Sequence, residues 1–364
     1  MTQVSMAPTS GPEPADLATL ARLRYVSDQE VGFSRTRKGA GFVYAKPRGA
    51  PLSDSATIKR IERLAIPPAW REVWICRFAK GHLQATGRDS RKRKQYVYHH
   101  RWNEISNLAK FYRLSEFGNS LPKLRREISR LLRGNQLTRE RVLAGIVGVL
   151  DATSVRIGNE EYVDQNGSYG LTTLRDRHAI VARGSVELRF VGKGGFRIQA
   201  TIVDKPLIKL VKQSRRVRGA RLFQYLDDHK VHAAAAGDVN DFLRERTGES
   251  FTAKDFRTWK ASALVAGRLF ELRDVDGVTK RRRLIKAVVE DAAASLGNTP
   301  AICRNYYIHP GLLASYEDGS FDGYFKRFAL RRLRQFSKQE QILACFLTRW
   351  ESSQLGVQGT IAKS

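Results

Sequence analysis

The spacing of apolar residues changes at about residue 105, and this change limits the folds that the chain can adopt. Before it, short apolar runs alternate with Gly and Pro, which is typical of strands and turns. The predicted strands there are residues 42–44, 73–76, 82–86 and 96–98. After it, Leu121, Leu124, Ile128 and Leu131 recur at helical spacing. Two periods in one chain predict a small α+β unit followed by a larger, mainly helical one.

A small antiparallel sheet interrupts the helical part. Residues 186–190 and 196–202 alternate apolar and polar side chains, and a glycine-rich turn at 192–195 joins them as a hairpin. Short strands are also predicted at residues 169–173 and 178–182. We therefore expect an α+β protein with an antiparallel sheet in a small N-terminal domain. The larger C-terminal domain is expected to be mainly α-helical with a small three-stranded sheet.

Residue types that cap helices set further boundaries. Asp54 and Thr138 suit helix N-termini, Gly248 suits a C-terminus, and Ser337 with Glu340 forms a capping-box pattern. The predicted helices are residues 54–63, 238–247, 253–272 and 280–296, with others beginning at 138 and 337. The amphipathic stretch at 325–334 is either a further helix or a contact with the polyanionic partner. The predicted domains are a disordered tail at 1–18, an N-terminal domain at 19–104, a larger domain at 105–350 and a tail at 351–364.

The charge of the chain indicates its partner. It contains 64 Lys and Arg against 36 Asp and Glu, a net charge of +28. An excess this large opposes compaction and attracts phosphate, so the sequence predicts a polyanionic partner. No apolar run reaches the roughly 18 residues that span a bilayer. The N-terminus also lacks the basic and apolar regions of a secretory signal, so membrane attachment is not expected.

The cysteines indicate a reducing compartment. Cys76, Cys303 and Cys345 are odd in number, widely spaced and without the spacing of a metal site. We expect a cytoplasmic protein that associates with the nucleoid. The sequence has no Walker A pattern and no cluster of Asp, Glu, His and Cys, so neither a nucleotide cofactor nor a metal is expected.

Four features of the C-terminal half indicate a catalytic function only when they are taken together. They are Arg156 before Gly158, Lys193 in its glycine-rich turn, Arg257, and the pair Tyr306-Tyr307. Taken singly, each has an ordinary explanation, such as a surface arginine or a solvated turn. The residues alone leave the two tyrosines as equal candidates for a nucleophile.

In this order, the features resemble the type IB DNA topoisomerases, in particular the compact bacterial and poxvirus-like members. The matching segments are VRIGNEEY at 155–162, YGLTTL at 169–174, FVGK at 190–193, FTAKDFRTW at 251–259 and LGNTPAICRNYYIHP at 296–310. In the N-terminal part, PPAW at 67–70 and RKQYVY at 93–98 are similar as well. The resemblance covers roughly residues 22–350 and implies a catalytic domain of the DNA breaking-rejoining type.

The resemblance implies a role for each residue. Arg156 and Arg257 would hold the non-bridging oxygens of the attacked phosphate with permanently charged donors. Lys193 would act as general acid toward the leaving 5′ oxygen. The spacing of the family selects Tyr307 as nucleophile, and Tyr306 is then expected to be a packing residue. Asn298 stands where the family often has His, and its amide can still donate a hydrogen bond.

The resemblance also implies DNA contacts. The basic segment at 88–101 contains Lys94, which suits a phosphate, and Gln95, Tyr96 and Tyr98 match residues that contact DNA in the family. Tyr162 and Lys254 match further contacting residues in the catalytic domain.

The implied activity is relaxation of supercoiled duplex DNA without ATP or metal, by a monomer that encloses the duplex. Two alternatives remain open. A tyrosine recombinase uses the same nucleophile, although such enzymes typically carry His three residues before the second arginine, where this chain has Lys254. A non-catalytic architectural protein would explain the charge but not the complete set of residues.

Overall fold

The computed structural model describes residues 14–361 except 40, 91, 161, 162, 165, 166, 218 and 229. Contacts between residues divide the chain into two compact units, 1–113 and 114–364, which are described separately. The predicted α+β class is confirmed, with strands concentrated in the first unit and helices in the second. The predicted domain boundaries, including the one between residues 104 and 105, stay predictions.

The first unit is built on an antiparallel sheet of five strands in the order β2-β1-β3-β4-β5. Its strands are β1 (Phe33–Lys38), β2 (Gly41–Ala45), β3 (Arg71–Ile75), β4 (Leu83–Arg88) and β5 (Lys94–Tyr98). Helix α2 (Ser55–Arg63) covers one face, and the Asp54 side chain accepts from the Thr57 N–H, so the predicted cap is confirmed. Ile61, Ile75 and Ala85 form the centre of this core.

The predicted N-terminal tail is partly wrong. Pro14–Leu20 form helix α1, and Ala18 is buried with Ala21 and Leu23. Pro14 is compatible with this helix because a proline in the first turn removes no intrahelical hydrogen bond. Residues 1–13 of the predicted tail lie outside the described residues.

The second unit is mainly helical. Helix α3 (His100–Leu131) crosses the division between the units. The helices that follow are α4 (Arg139–Thr153), α5 (Lys205–Ser214), α6 (Ala236–Thr247), α7 (Ala253–Glu271), α8 (Val278–Leu296), α9 (Pro300–Tyr306), α10 (Pro310–Asp318) and α11 (Lys338–Ile361). The predicted caps at Thr138 and Gly248 and the capping box of Ser337 with Glu340 are confirmed.

The predicted three-stranded sheet is confirmed in the order β6-β7-β8. Its strands are β6 (Ala179–Ala182), β7 (Ser185–Val191) and β8 (Arg197–Ile202), and a second hairpin, β9 (Gln224–Asp227) with β10 (Lys230–Ala233), was not predicted. The strand predicted at 169–173 is wrong. Leu171–Thr173 form a 3₁₀ helix, because the Thr173 hydroxyl accepts from the Gly170 N–H at 2.9 Å and closes a tight turn.

The C-terminal region also departs from its prediction. No helix forms over residues 326–334, because the amide of Gln341 binds both the N–H and the carbonyl of Arg331. In place of the tail predicted at 351–364, the backbone of α11 stays helical through Ile361, and 362–364 lie outside the described residues. Among the helices of the described residues, none is long and apolar enough to cross a membrane.

The core of the second unit surrounds α7. Trp259 is fully buried and lies edge-on to Phe117, which also contacts Phe251 and Phe256 edge-to-face. The indole N–H of Trp259 donates to Glu340 at 2.8 Å. This packing holds the N-terminal half of α7, which also carries Lys254 and Arg257, against the core.

Candidate active site

The loop after α4 holds Arg156. Helix α4 is followed by its C-cap residue Ser154, which is in the left-handed conformation. The next residues dock on the turn at 170–173, where the N–H of Leu171 donates to the carbonyl of Arg156 at 3.0 Å. Gly158 (φ +103°) and Gly170 approach so closely that a Cβ on Gly170 would lie 2.4 Å from the nitrogen of Gly158. These two glycines are therefore required for the loop to lie where it does.

The end of α8 supplies the residues that meet this loop. Gly297 is in the left-handed conformation (φ +60°), and the N–H of Asn298 donates to the carbonyl of Ala293 at 2.9 Å. This is the Schellman arrangement of a helix C-terminus. It places the carbonyls of Leu296 and Gly297 and the Asn298 side chain at one corner of the site.

Arg257 lies between the ends of α4 and α8. Its guanidinium donates to the carbonyls of Ser154 and Leu296, the second at 2.8 Å, and only 4% of the residue is exposed. Burial, and next the charge of Arg156, lower the pKa of Arg257 to about 10, so the side chain is still charged at neutral pH. Its Nε–H is buried and has no hydrogen-bond partner among the described residues.

Arg156 fixes the orientation of Asn298. Its guanidinium donates to the carbonyl of Gly297 at 3.4 Å and to Oδ1 of Asn298. Because Oδ1 accepts this bond, Nδ2 is the end of the amide that is left to donate. Nδ2 is buried and has no partner in the described part of the chain. The site thus contains two buried donors, Nε of Arg257 and Nδ2 of Asn298, which an oxyanion could satisfy.

Tyr307 follows α9, whose N-terminus is capped by Thr299. Its N–H donates to the carbonyl of Cys303 at 3.0 Å, and the guanidinium of Arg257 lies 5.1 Å from the centre of its ring. The hydroxyl of Ser262 on α7 donates to the Tyr307 carbonyl at 3.1 Å and accepts from the His309 N–H at 3.0 Å. The backbone on the C-terminal side of Tyr307 is therefore fixed to α7.

Lys193 comes from the turn between β7 and β8, where Gly194 and Gly195 take positive φ values of 78° and 80°. This turn brings Lys193 to a cavity of about 230 Å³. The cavity brings together the predicted residues Arg156, Lys193, Lys254, Arg257 and Tyr307. Tyr306 does not line the cavity and is 45% exposed, and its expected role as a packing residue stays a prediction.

The charges of this cavity are of one sign. Its described lining includes four cations and no carboxylate. Neighbouring lining residues are Ile157, Gly158, Asn159, Ser168, Tyr169 and Ala253. The lining also contains the phenols of Tyr169 and Tyr307 and, on Arg257, a buried donor without a partner among the described residues, whereas Asn298 does not line it. Fixed cations around a phenol suit an anion that gains charge when the phenol attacks it. No group of His, Cys, Asp and Glu suited to a metal is found within the described residues.

The predicted DNA contacts of the first unit lie on β5, an edge strand of its sheet. Lys94, Tyr96 and Tyr98 share one face, with the two tyrosine rings stacked 5.9 Å apart. Gln95 points to the other face and donates to Asp89 at 3.0 Å. Lys94 forms an ion pair with Asp28. Tyr162, predicted as a further contact, lies outside the described residues.

Sequence reasoning missed the groups that position the site. Ser154 and Leu296 act through backbone carbonyls, which any residue type supplies, so no side-chain pattern reveals them. Ser262 lies in the middle of α7 and has no local signal either. The glycine pair at 158 and 170 was visible in the sequence, but their contact was not.

Comparison with known proteins identifies the family. The model described as "Eukaryotic DNA topoisomerase I, catalytic core" matches residues 92–320, more than half of the chain and a range that contains all five predicted catalytic residues. The model described as "Bacterial DNA topoisomerase IB, N-terminal domain" matches residues 41–89. The chain therefore belongs to the type IB DNA topoisomerases, a family of enzymes that act on DNA.

Individual relatives agree with this assignment. The chain is 32% identical over 297 residues to DNA topoisomerase 1B of Acanthamoeba polyphaga mimivirus, which covers 79% of this chain and 88% of the viral protein. It is 22% identical over 241 residues to DNA topoisomerase 1B of vaccinia virus strain Copenhagen, covering 65% of this chain and 73% of the relative. DNA topoisomerase 1 of Mycosarcoma maydis is 26% identical over 183 residues, 45% of this chain and 18% of the fungal protein.

Proposed function

We propose that this protein relaxes supercoiled duplex DNA by cutting one strand through Tyr307 and then resealing it. The observation that carries this proposal is the cavity in which Tyr307 lies beside Arg156, Lys193 and Arg257. These residues come from separate parts of the chain, and nothing in their local structure requires them to meet. A phenol surrounded by cations is an arrangement suited to attack on a phosphodiester.

The proposed step is a transesterification. The Tyr307 hydroxyl attacks phosphorus, a bond forms between its oxygen and the 3′ phosphate, and the bond to the 5′ oxygen breaks. The phenolic proton leaves to solvent, and Lys193 delivers a proton to the departing 5′ oxygen. Arg156, Arg257 and the Asn298 amide stabilise the charge on the non-bridging oxygens.

Resealing is the same reaction in reverse. The 5′ hydroxyl attacks the phosphotyrosyl bond, and Tyr307 leaves. Because one phosphodiester is exchanged for another, the reaction requires no ATP, and the arginines supply the charge that a metal supplies in other phosphoryl-transfer sites. While the strand is open, the downstream duplex rotates and supercoils of either sign relax.

The proposed setting is a monomer that encloses the duplex, in the cytoplasm and associated with the nucleoid. The net charge of +28 supports the DNA partner, because it favours binding along a polyanion. Sedimentation of the protein alone and with a short duplex tests the stoichiometry, and a complex with two protein chains per duplex would contradict it.

The test of the nucleophile uses the two neighbouring tyrosines as variant and control. A labelled duplex is incubated with wild type, Tyr307→Phe or Tyr306→Phe, without ATP and with a metal chelator, and resolved on a denaturing gel. Tyr307→Phe should give no protein-linked DNA, whereas Tyr306→Phe should form the adduct. An adduct that survives in Tyr307→Phe and is lost in Tyr306→Phe would overturn the assignment.

Assays of the wild-type protein on plasmid DNA distinguish the proposed function from its two alternatives. A recombinase would exchange strands between two sites, whereas the proposed enzyme relaxes a plasmid without exchange. The lining of the cavity by Lys254, three residues before Arg257, favours the second outcome. An architectural protein would bind DNA and give no covalent band at all.

A further inference from the structure

A second basic cavity lies beside the active-site cavity. Its volume is about 510 Å³, and its polar lining consists of Tyr169, Arg177, His178, Arg189, Arg197 and Gln199. Tyr169 lines both cavities, so the two are adjacent. Its backbone N–H donates to the carbonyl of Val191 at 2.8 Å, which fixes this shared residue to the end of β7.

The sheet sets the positions of two of these cations. In the antiparallel register of β7 and β8, Arg189 lies opposite Gln199 and Val191 lies opposite Arg197. Side chains of alternate residues share a face, so Arg189 and Arg197 belong to the same face of the sheet. Arg177 approaches from the turn before β6 and donates to the Tyr169 hydroxyl at 3.1 Å.

The charges of this second cavity are poorly balanced. Arg189 is paired with Glu187 at 2.6 Å. Neither Arg177 nor Arg197 forms an ion pair within the part of the chain that the structure describes, and the cavity lining contains no carboxylate. Such a site attracts an anion and repels a cation.

His178 adds a hydrogen-bond donor to these cations. It is 8% exposed, and its Nδ1 accepts from the backbone N–H of Arg175 at 3.0 Å. Burial, and then the neighbouring Arg177 and Arg175, lower the pKa of His178, so the ring is neutral and carries its one proton on Nε2. The Nε–H of Arg177 points at this Nε2, with 3.4 Å between the two nitrogens.

Two N–H groups therefore face each other across this short distance. Neither Nε2–H of His178 nor Nε–H of Arg177 can accept from the other. An oxygen with several lone pairs, placed beside both groups, would accept from each of them. A phosphate oxygen meets this requirement and also neutralises the guanidinium.

We propose that this second cavity binds a phosphodiester of the DNA close to the scissile phosphate, through Arg177, Arg197 and His178. The proposal rests on the proposed function, because the scissile phosphate is taken to occupy the adjacent active-site cavity. The bound phosphate does not react. It fixes the strand on the far side of Tyr169 and so positions the scissile phosphate near Tyr307.

The test measures non-covalent binding, so it does not depend on the identity of the nucleophile. A synthetic duplex with one cleavage site is prepared as a series in which single phosphates are replaced by neutral methylphosphonate. Affinity is measured by fluorescence anisotropy with Tyr307→Phe as the reference protein. Arg177→Gln and Arg197→Gln are introduced into it singly, and Arg183→Gln, an equal loss of charge in the turn between β6 and β7, is the control.

One methylphosphonate position near the cleavage site should weaken binding of the reference protein about tenfold or more, and should have no effect on Arg177→Gln or Arg197→Gln. Each of these variants should also lower the slope of log affinity against log salt by about 0.9, the value for one lost phosphate contact. Arg183→Gln should keep the methylphosphonate effect. The proposal fails if no position loses its effect in the variants, or if Arg183→Gln abolishes it equally.

Discussion

Arg257 shows how a single residue can be buried and yet stay available to a substrate. A carboxylate partner would stabilise the buried charge but would also cancel the field that an incoming phosphate needs. Its partners are instead the carbonyls of Ser154 and Leu296, at the C-terminal ends of two helices. Those ends carry partial negative charge, so they stabilise the guanidinium without neutralising it. The Nε–H has no partner in the described part of the chain, and in the proposed mechanism it donates to the oxyanion.

Asn298 also has a buried N–H donor that a substrate oxygen could use, although its side chain is neutral. Because Oδ1 is held by Arg156, the donor Nδ2 points away from it. Asn298→Ala removes one hydrogen bond to a charged oxygen, which is worth about 1.5–3 kcal/mol, so we expect strand cleavage to slow by about 10- to 100-fold. The rate of adduct formation in a single turnover measures this directly.

The isosteric variant sharpens that prediction. Asn298→Asp keeps the shape of the side chain but replaces the Nδ2 donor by an oxygen and adds a negative charge beside Arg156 and Arg257. It should therefore be slower than Asn298→Ala. If alanine were as inactive as Tyr307→Phe, or if aspartate cleaved as fast as wild type, the role of the amide as an oxyanion donor would be wrong.

At the scale of elements, one serine joins α7 to the segment that carries the nucleophile. Ser262 is fully buried, and its hydroxyl bonds both the Tyr307 carbonyl and the His309 N–H. Ser262→Ala leaves the His309 N–H buried without a partner, which costs about 1–3 kcal/mol. We expect slower cleavage with little change in DNA affinity, because the variant displaces Tyr307 and leaves the cationic lining intact.

A second buried serine provides the control. The Ser315 hydroxyl donates to the Gly311 carbonyl at 2.7 Å, within its own helix α10, and its loss does not touch the Tyr307 backbone. Ser315→Ala should cleave at a rate near that of wild type. Equal rates for the two alanine variants would show that Ser262 contributes to stability only.

The N-terminus of α10 makes the stability of the fold depend on pH. His309 is 1% exposed, and its Nδ1 caps the helix by accepting from the Gly311 N–H at 3.1 Å. Burial lowers the pKa of His309 to about 3. The unfolded chain binds a proton near pH 6.5 and the folded chain does not, so this contribution to stability is complete above pH 6.5 and is lost as the pH falls.

Denaturant unfolding at pH 7.5 and pH 5 measures this effect. The contribution of His309 at pH 5 should be a loss of about 2 kcal/mol relative to pH 7.5. His309→Asn keeps an acceptor for the Gly311 N–H but cannot titrate, so its stability should fall less between the two pH values. The same decrease in both proteins would assign the pH dependence to other groups.

The same elements show what the sequence can and cannot predict. The caps at Asp54, Thr138 and Gly248 were predictable because a cap acts within four residues of its own helix end. The turn at 170–173 was not, because its apolar residues suit a strand until the Thr173 hydroxyl closes it. The failure at 326–334 is of the same kind, since Gln341, distant in sequence, holds Arg331 out of a helix.

The candidate site also has a part that the sequence predicts and a part that it does not. The residue types of the cavity were predictable from their order along the chain, through the resemblance to a family. Their mutual arrangement was not, because it depends on helix-end carbonyls, a close contact between glycines, and a buried serine. The sequence shows which reactive side chains are present. It does not show how they are oriented, because most of the groups that orient them are backbone atoms, which every residue has.

At the scale of the whole molecule, the chain has 28 more positive than negative charges, so not every Lys and Arg can be paired with a carboxylate of the fold. Among the described residues, the active-site lining has four cations and no carboxylate, and the second cavity beside it has two arginines, Arg177 and Arg197, without an ion pair. A protein charged in this way binds DNA by displacing the cations condensed on the phosphates. Affinity should therefore fall linearly with salt concentration on a double logarithmic scale.

The slope of this decrease in affinity with salt gives the number of phosphates that the protein neutralises. If the protein neutralises about 6–10 phosphates, raising the salt from about 50 to 200 mM should weaken binding by about 10³- to 10⁵-fold. Anisotropy titrations of Tyr307→Phe with a duplex measure it without interference from cleavage. An affinity independent of salt would contradict binding along the phosphate backbone. Because the rate of strand cleavage in the bound complex depends on local charges that salt screens less, it should change far less than affinity over the same range.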